Sequence, residues 1–216
     1  IPSEFSTTLM PKIIRRFTQS YPEVSLEVHC ALSKDLLCEP LKNQLDLILS
    51  LQEMPDAEQD GYIVTDQLVW VGNQRFVNSM PEKLPLIAAP SPCIYRKRAT
   101  HTLGKQKKQW QIVYTIGDLN GIQTAINEGL GITVLAKSTV PPGLNILPPS
   151  PDLPDLGQIG VCLVNPQKVR SEAIELLAKT MVTELATEKR AAKLAAQRRS
   201  TEHVHTNCPS SQGRSK

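Results

Sequence analysis

The chain has 216 residues and a net charge of +3, and its 40% hydrophobic and 21% charged residues are typical of a globular protein. No apolar run reaches the roughly 18 to 20 residues that span a bilayer, which argues against a transmembrane segment and a membrane partner. Five cysteines without a CxxC pair, together with four histidines, predict reduced thiols, a cytoplasmic location, no zinc site and no cofactor.

The positive charge is concentrated near the C-terminus. Residues 188–216 hold seven Lys or Arg and two Asp or Glu, a net charge of +5, whereas residues 1–187 carry −2. The sequence after Ser200 is polar, which predicts a basic, partly disordered C-terminal tail over 188–216. Nonspecific contact between this tail and phosphates is the alternative.

The first quarter of the chain alternates helical and strand patterns. An apolar stripe predicts a helix over about 6–20, in which Pro11 marks either a late start or a kink. Period-two alternation predicts a strand over 24–32, and a short helix over 33–44 and a buried strand over 45–51 follow. Alternation of this kind favours an α/β fold with a parallel sheet.

The remainder of the chain continues the mixed pattern. The predicted elements are a strand pair over 62–73, a strand over 84–90, a helix over 96–110, a strand over 111–116, an extended Pro-rich connector over 141–157, a strand over 158–164 and a long helix over 171–199.

The segment 117–137 combines a helix, a glycine-containing turn and a strand. Asp118 or Asn120 is a candidate N-cap for the helix. Gly129 suits the left-handed residue that ends a helix, and Gly131 allows tight packing before the strand "ITVLA".

Four stretches in register carry a resemblance to a known family. They are "LMPKIIRRFTQSYPEVSLEV", "SKDLLCEPLKNQLDLIL", "DQLVWVGN" and "TAINEGLGITVLAK". Over about residues 1–165 the chain resembles the effector-binding domain of LysR-type transcriptional regulators. The winged helix-turn-helix that precedes this domain in the family is not among these residues.

The resemblance implies an α/β fold of two Rossmann-like subdomains, similar to a type 2 periplasmic binding protein. Residues 1–71 plus 146–187 would form the first subdomain and 72–145 the second, with a small-molecule effector in the cleft between them. The family also implies a homodimer or tetramer, and DNA binding only through the N-terminal domain. The helix that follows Asp118 is one candidate dimer surface. The alternative dimer surface consists of Ile13, Phe17 and the adjacent strand.

Polar residues at helix starts and strand ends are the candidate ligand-binding positions that the resemblance implies. They are Ser3, Glu4, Ser6, Ser33, Ser50, Gln52, Tyr95, Arg96, Thr115, Gly117 and Asp118. Helix capping and satisfied turns are the structural alternatives for the serines, and a solvated basic helix face is the alternative for Arg96. Glu4 departs from the family pattern, because a carboxylate there repels an anionic effector and favours a neutral or cationic ligand, or none.

Three functional classes follow from these observations. The first is a regulatory domain in which a ligand alters how an attached domain binds DNA. The second is a periplasmic solute receptor of the same fold, which requires a signal peptide. An enzyme is not expected, because the sequence shows no nucleophile elbow, acid and base pair, P-loop or metal cluster.

Overall fold

The computed structural model describes residues 1–168 and 171–187, which form a mixed α/β fold. The helices are α1 Ser3–Thr8, α2 Met10–Ser20, α3 Ser33–Leu36, α4 Gln74–Asn78, α5 Ile94–Lys105, α6 Leu119–Asn127 and α7 172–187, with 3-10 turns at Leu41–Gln44 and Lys137–Thr139. The strands are β1 Ile48–Gln52, β2 Tyr62–Gly72, β3 Lys83–Ala88, β4 Gln109–Thr115, β5 Thr133–Ala136, β6 Asn145–Ile146 and β7 Gln158–Val164. None of the helices in these described stretches is long and apolar enough to cross a membrane.

The predicted first helix is two helices that meet at Leu9. Pro11 occupies the first turn of α2, where its missing N–H leaves no helical hydrogen bond unmade, so the proline marks a restart of the helix. Ile13 and Phe17 on this helix are 0% and 1% exposed. The prediction that they form a dimer surface is therefore wrong, because both side chains are used inside the chain's own core.

The long strand β2 connects two lobes of the molecule. Its first half pairs with β7 and its second half pairs with β5, both antiparallel. The predicted strand pair over 62–73 is therefore a single strand. We call α1 to α3, β1, β7, α7 and the first half of β2 the first lobe, and α4 to α6, β3 to β5 and the second half of β2 the second lobe.

The strand directions differ from the predicted parallel sheet. β1 pairs antiparallel with β7, which also pairs antiparallel with β2. Parallel pairing is found in the second lobe, between β3 and β4 and at the bridge from Leu86 to Ile132. The prediction failed because β7 returns from the second lobe after the connector, and so enters the first lobe's sheet against the direction of β1.

The predicted strand over 24–32 is not a strand. Apart from local turns at its two ends, this segment is joined by backbone hydrogen bonds to Ile1 in the described part of the chain. The Ile1 ammonium donates to His29 O at 2.9 Å, and Ala31 N–H donates to Ile1 O at 3.3 Å. A single residue cannot build a ladder, so the alternating pattern of this segment has no sheet partner among the described residues.

The turn after α6 has the predicted form. Gly129 has φ +74°, the left-handed conformation that ends a helix without steric cost in glycine. A Cβ at Gly131 would lie 2.5 Å from Pro85 O, so this glycine allows β3 to approach. The turn therefore holds α6 against the sheet of the second lobe.

The C-terminal helix is described as far as residue 187. Met181 and Leu185 are buried in the core, and Arg16 on α2 forms an ion pair with the buried Glu184. The rest of the predicted helix and the predicted tail over 188–216 lie outside the described residues.

Candidate functional site

A cavity of about 1160 Å³ lies between the two lobes. The first lobe contributes residues from α1, α3 and the end of β1 to its wall, and the second lobe contributes residues from β3, α5, α6 and β5. Apolar side chains such as Leu51, Leu86, Ile87, Leu119 and Val134 supply most of the lining. A concave, largely apolar cavity with few polar groups is typical of a small-molecule site.

A buried hydrogen bond crosses this cavity from one lobe to the other. The Tyr95 hydroxyl donates to Glu4 Oε1 at 2.7 Å, and the two residues are 9% and 7% exposed. Burial raises the pKa of Glu4, since removal from water disfavours the carboxylate, while the Tyr95 hydroxyl opposes that shift. Burial and the neighbouring Glu4 raise the pKa of Tyr95 well above its usual value, so Tyr95 acts as a donor.

Two helices place these side chains. α1 begins after Pro2, whose carbonyl accepts hydrogen bonds from Phe5 N–H and Ser6 N–H, and this puts Glu4 in the first turn. α5 begins after Cys93, which puts Tyr95 in the first turn of that helix. Both helices therefore start at the cavity.

A second cross-lobe contact lies beside the first. The Ser3 hydroxyl donates to Gly117 O at 3.2 Å. The next residue, Asp118, caps α6 by accepting a hydrogen bond from Gly121 N–H at 2.8 Å, as its sequence position predicts. The N-terminal end of α6 therefore lies at the cavity, next to the start of α1.

Some basic residues in and after α5 contact the first lobe and the connector, whereas Lys105 is exposed at the end of the helix, as a solvated basic face would have it. Lys97 pairs with Glu53 at 2.5 Å, and the Arg98 guanidinium donates to three backbone carbonyls. Arg96 donates to Ala89 O at 3.3 Å in its own lobe. Beyond the helix, Lys108 pairs with Asp152 of the connector at 2.6 Å.

Most of the candidate ligand-binding residues meet at the cavity. Those in its wall are Ser3, Glu4, Ser33, Tyr95, Arg96, Gly117 and Asp118. Neither Ser3 nor Ser33 caps its helix. The Ser33 hydroxyl instead accepts a hydrogen bond from Leu51 N–H at 2.9 Å, which ties α3 to β1.

The other four candidates lie away from the wall. Leu51 and Glu53 line the cavity, whereas Ser50 and Gln52 do not, as expected from the alternation of side chains along β1. Ser6 and Thr115 are also outside the lining. The Gln52 amide is buried over Gly160, and neither its Nε2 nor its Oε1 has a hydrogen-bond partner in the described part of the chain.

Sequence reasoning missed several residues of the wall. Trp70, Cys93 and Ile122 line the cavity. Trp70 is held by a hydrogen bond from its indole N–H to Pro154 O at 2.9 Å. Trp70 lies in β2, just after the point where that strand changes partners between the lobes. The stretch "DQLVWVGN" is the sequence signal that points to it. The described residues contain no group of three or more His, Cys, Asp or Glu side chains placed to hold a metal ion.

Comparison with known proteins gives consistent results. A family model described as "LysR substrate binding domain" matches residues 1–186. The HTH-type transcriptional regulator DgdR of Burkholderia cepacia is 26% identical over 163 residues, which cover 75% of this chain and 55% of the relative. The chain spans about half the length of the curated relatives it matches.

Solved structures agree with the fold. The regulatory domain of Synechocystis PCC6803 CcmR in complex with 2-PG superposes with a TM-score of 0.61 at 17% identity, covering 83% of this chain and 92% of that one. The reduced form of the regulatory domain of OxyR2 from Vibrio vulnificus gives a TM-score of 0.60 at 15% identity, covering 84% of this chain and 92% of that one. These likenesses confirm the predicted fold class of two α/β subdomains around a cleft.

Proposed function

The chain belongs to the LysR substrate-binding domain family, and we propose that it is the effector-sensing part of a LysR-type transcriptional regulator. In this proposal a small molecule binds between the lobes and changes how an attached helix-turn-helix domain binds DNA in the cytoplasm. The names of the curated relatives, HTH-type transcriptional regulators, support this assignment over a periplasmic solute receptor. The proposal includes no catalytic step.

The observation that carries the proposal is the cavity bridged by Glu4 and Tyr95. A ligand between the lobes alters regulation only if it favours one lobe arrangement over another. Because the bridge joins the lobes through the cavity itself, a ligand that contacts Glu4 competes with or adds to the bond that fixes their separation. Occupancy of the cavity is thereby coupled to lobe geometry.

The proposed lobe boundaries follow the chain crossings. We assign 1–71 plus 146–187 to the first subdomain and 72–145 to the second. A chain crossing within β2 is supported by its switch from β7 to β5 between Gln67 and Leu68, four residues before this boundary. A return crossing is supported by β6, which pairs with the end of β2 before the chain enters the connector.

The proposed ligand contacts are the seven candidates in the cavity wall. The other four candidates remain predictions that need a ligand-bound measurement. Ser3→Ala and Thr115→Ala form a matched pair for this purpose, because Ser3 lines the cavity and Thr115 does not. We expect a loss of ligand affinity from the first substitution only.

We further propose that the chain assembles as a homodimer or tetramer. Two exposed features support self-association. One is the strand β4, on which Val113 and Tyr114 are 38% and 41% exposed, and the other is the segment 24–32, which has an alternating pattern but no sheet partner among the described residues. An exposed strand edge is a template for pairing with another chain. Sedimentation at micromolar concentration tests this, and a monomer would remove this part of the proposal.

The function is tested on the protein made from its native gene. Its intact mass is measured, and the protein is then used to select binding sequences from a random pool of double-stranded DNA. A product that carries a further segment and enriches a defined DNA sequence supports the regulator. Enrichment of no sequence, or a product with a cleaved signal peptide, would reject it and favour solute capture.

A further inference from the structure

We propose that the ligand of this cavity is a small organic cation, a protonated amine with an apolar body, whose ammonium group binds the carboxylate of Glu4. This inference rests on the proposed function, because it concerns the same cavity, and it adds the chemical class of the ligand.

Glu4 is distinct among the charged residues of the cavity. The charged side chains in the described lining are Glu4, Lys34, Asp35, Glu53, Arg96, Lys97 and Asp118. Glu4 alone among them is buried, and the others are half-buried or exposed. A charge held away from water dominates recognition, because solvent does not screen it as it screens the residues at the rim.

The Glu4 carboxylate has no cationic side-chain partner in the part of the chain that the structure describes. No basic side chain in the described ranges forms an ion pair with it, since Lys97 pairs with Glu53 and Arg96 donates to Ala89 O. The Ile1 ammonium attracts Glu4 electrostatically, but it donates to His29 O and does not line the cavity.

The hydrogen bonding of Glu4 leaves acceptor capacity toward the cavity. A carboxylate has about four acceptor positions on its two oxygens. Tyr95 occupies one of them, on Oε1, and the backbone N–H of Glu4 also hydrogen-bonds the carboxylate, so part of this capacity is left for a ligand. An ammonium group brings three N–H donors and the positive charge that a buried carboxylate requires. An anionic ligand at the same place would put two like charges together out of water, which disfavours it strongly.

The rest of the wall fits an apolar body. Leu86, Ile87, Leu119, Ile122 and Val134 face the same cavity as Glu4. A ligand that buries hydrocarbon against these side chains gains binding free energy in proportion to the apolar area removed from water. A bare inorganic cation gains nothing from them, so the lining favours an amine that carries an alkyl or aryl group.

Three size-matched probes test the inference at neutral pH: 3-phenylpropylamine, 3-phenylpropanol and 3-phenylpropanoate. Calorimetric titration of the chain is expected to show the amine binding at least tenfold more tightly than the carboxylate, with the alcohol between them. Glu4→Gln is expected to weaken amine binding about tenfold or more, the loss typical of a hydrogen bond to a charged group. Glu58→Gln removes the same charge from an exposed loop and is expected to leave binding within twofold.

The outcomes separate this inference from the proposed function. Carboxylate binding as tight as amine binding would overturn the cation and leave an effector site in place. Amine binding that Glu4→Gln does not weaken would overturn the role of Glu4. Binding of none of the probes would reject this ligand class, whereas the DNA selection tests the regulator independently. The preference of the wild-type chain between amine and carboxylate decides the question even if the Glu4 variant does not fold.

Discussion

Replacement of Arg98 by methionine tests how the two lobes are held together. The guanidinium donates to Leu156 O at 2.7 Å and Gln158 O at 3.3 Å, and also to Glu53 O. These carbonyls belong to the first lobe and the connector, while Arg98 lies on α5 of the second lobe. Methionine keeps much of the aliphatic stem and removes every donor.

The expected loss is about 2 kcal/mol in the free energy of unfolding. A hydrogen bond from a charged donor contributes about 1.5 to 3 kcal/mol when it is sheltered. Arg98 is only half-buried, so in the variant water can hydrogen-bond to the exposed carbonyls that the guanidinium contacted. The carbonyl of the buried Leu156 instead loses its hydrogen-bond partner. For a chain of this size, a loss of about 2 kcal/mol corresponds to a decrease in Tm of about 4 to 8 °C.

Urea denaturation followed by circular dichroism measures this loss. Lys105→Met provides the control, because it removes the same charge from an exposed position at the end of the same helix, and we expect a change of about 0.5 kcal/mol or less. Equal stabilities of the two variants would refute the reasoning, since they would show that the hydrogen bonds from the guanidinium to the three carbonyls do not stabilise the fold.

Three further substitutions and one control substitution have defined outcomes. Glu4→Gln should raise the free energy of unfolding of the unliganded chain at pH 8 by about 1 kcal/mol, because it removes a buried carboxylate and keeps an acceptor for the tyrosine hydroxyl. The pKa of Glu4 in the folded chain is raised above its usual value, so this advantage shrinks as the pH falls through that raised pKa, because the wild-type carboxyl then takes up a proton in the folded state first. Gly131→Ala should cost about 2 kcal/mol or more in thermal unfolding, since its Cβ would lie 2.5 Å from Pro85 O, whereas Gly104→Ala on α5, with open space around it, should be neutral or stabilising. Asp118→Ala should cost about 1 kcal/mol in urea denaturation, because α6 loses its cap.

Each of these expectations has a clear contradiction. If the difference in free energy of unfolding between wild type and Glu4→Gln does not change with pH, protonation of Glu4 does not affect the stability of the fold. Similar costs at the two glycines would remove close packing as the reason for Gly131. An unchanged urea midpoint for Asp118→Ala would show that its hydrogen bond to Gly121 N–H adds nothing to α6.

Local sequence signals predicted the elements whose cause is local. The turn at Gly129 and Gly131 depends on a left-handed backbone and on the absence of a Cβ, both of which glycine alone provides. Asp118 caps α6 because its side chain reaches an N–H three residues away. Such features are readable from residue type and spacing.

Long-range features were not readable in the same way. The period-two pattern over 24–32 predicted a strand, but a strand needs a neighbour, and sequence patterning does not supply one. The direction of β7 depends on where the connector returns the chain, and the strand-length apolar run over 158–164 is the same for either direction. Antiparallel pairing in the first lobe was therefore beyond the sequence pattern.

The candidate site was predicted in part for the same reason. Glu4 and Gly117 were predicted because the resemblance points to helix starts and strand ends, which can be placed from sequence, and the structure puts both in the cavity wall. The contact between Glu4 and Tyr95 spans 91 residues, and no local signal pairs them. Ser50 and Gln52 were placed at the right strand end, but the strand register puts Leu51 and Glu53 in the wall instead.

Mapping of ligand contacts on the isotopically labelled chain by NMR tests the central claim most directly. The titrant is whichever of the three phenylpropyl probes binds most tightly. The account predicts that the largest amide shifts occur at both walls of the cavity, near Ser3 and Glu4 in the first lobe and near Tyr95, Gly117 and Asp118 in the second. Shifts confined to one lobe, or centred on the exposed edge of β4, would contradict an effector site between the lobes.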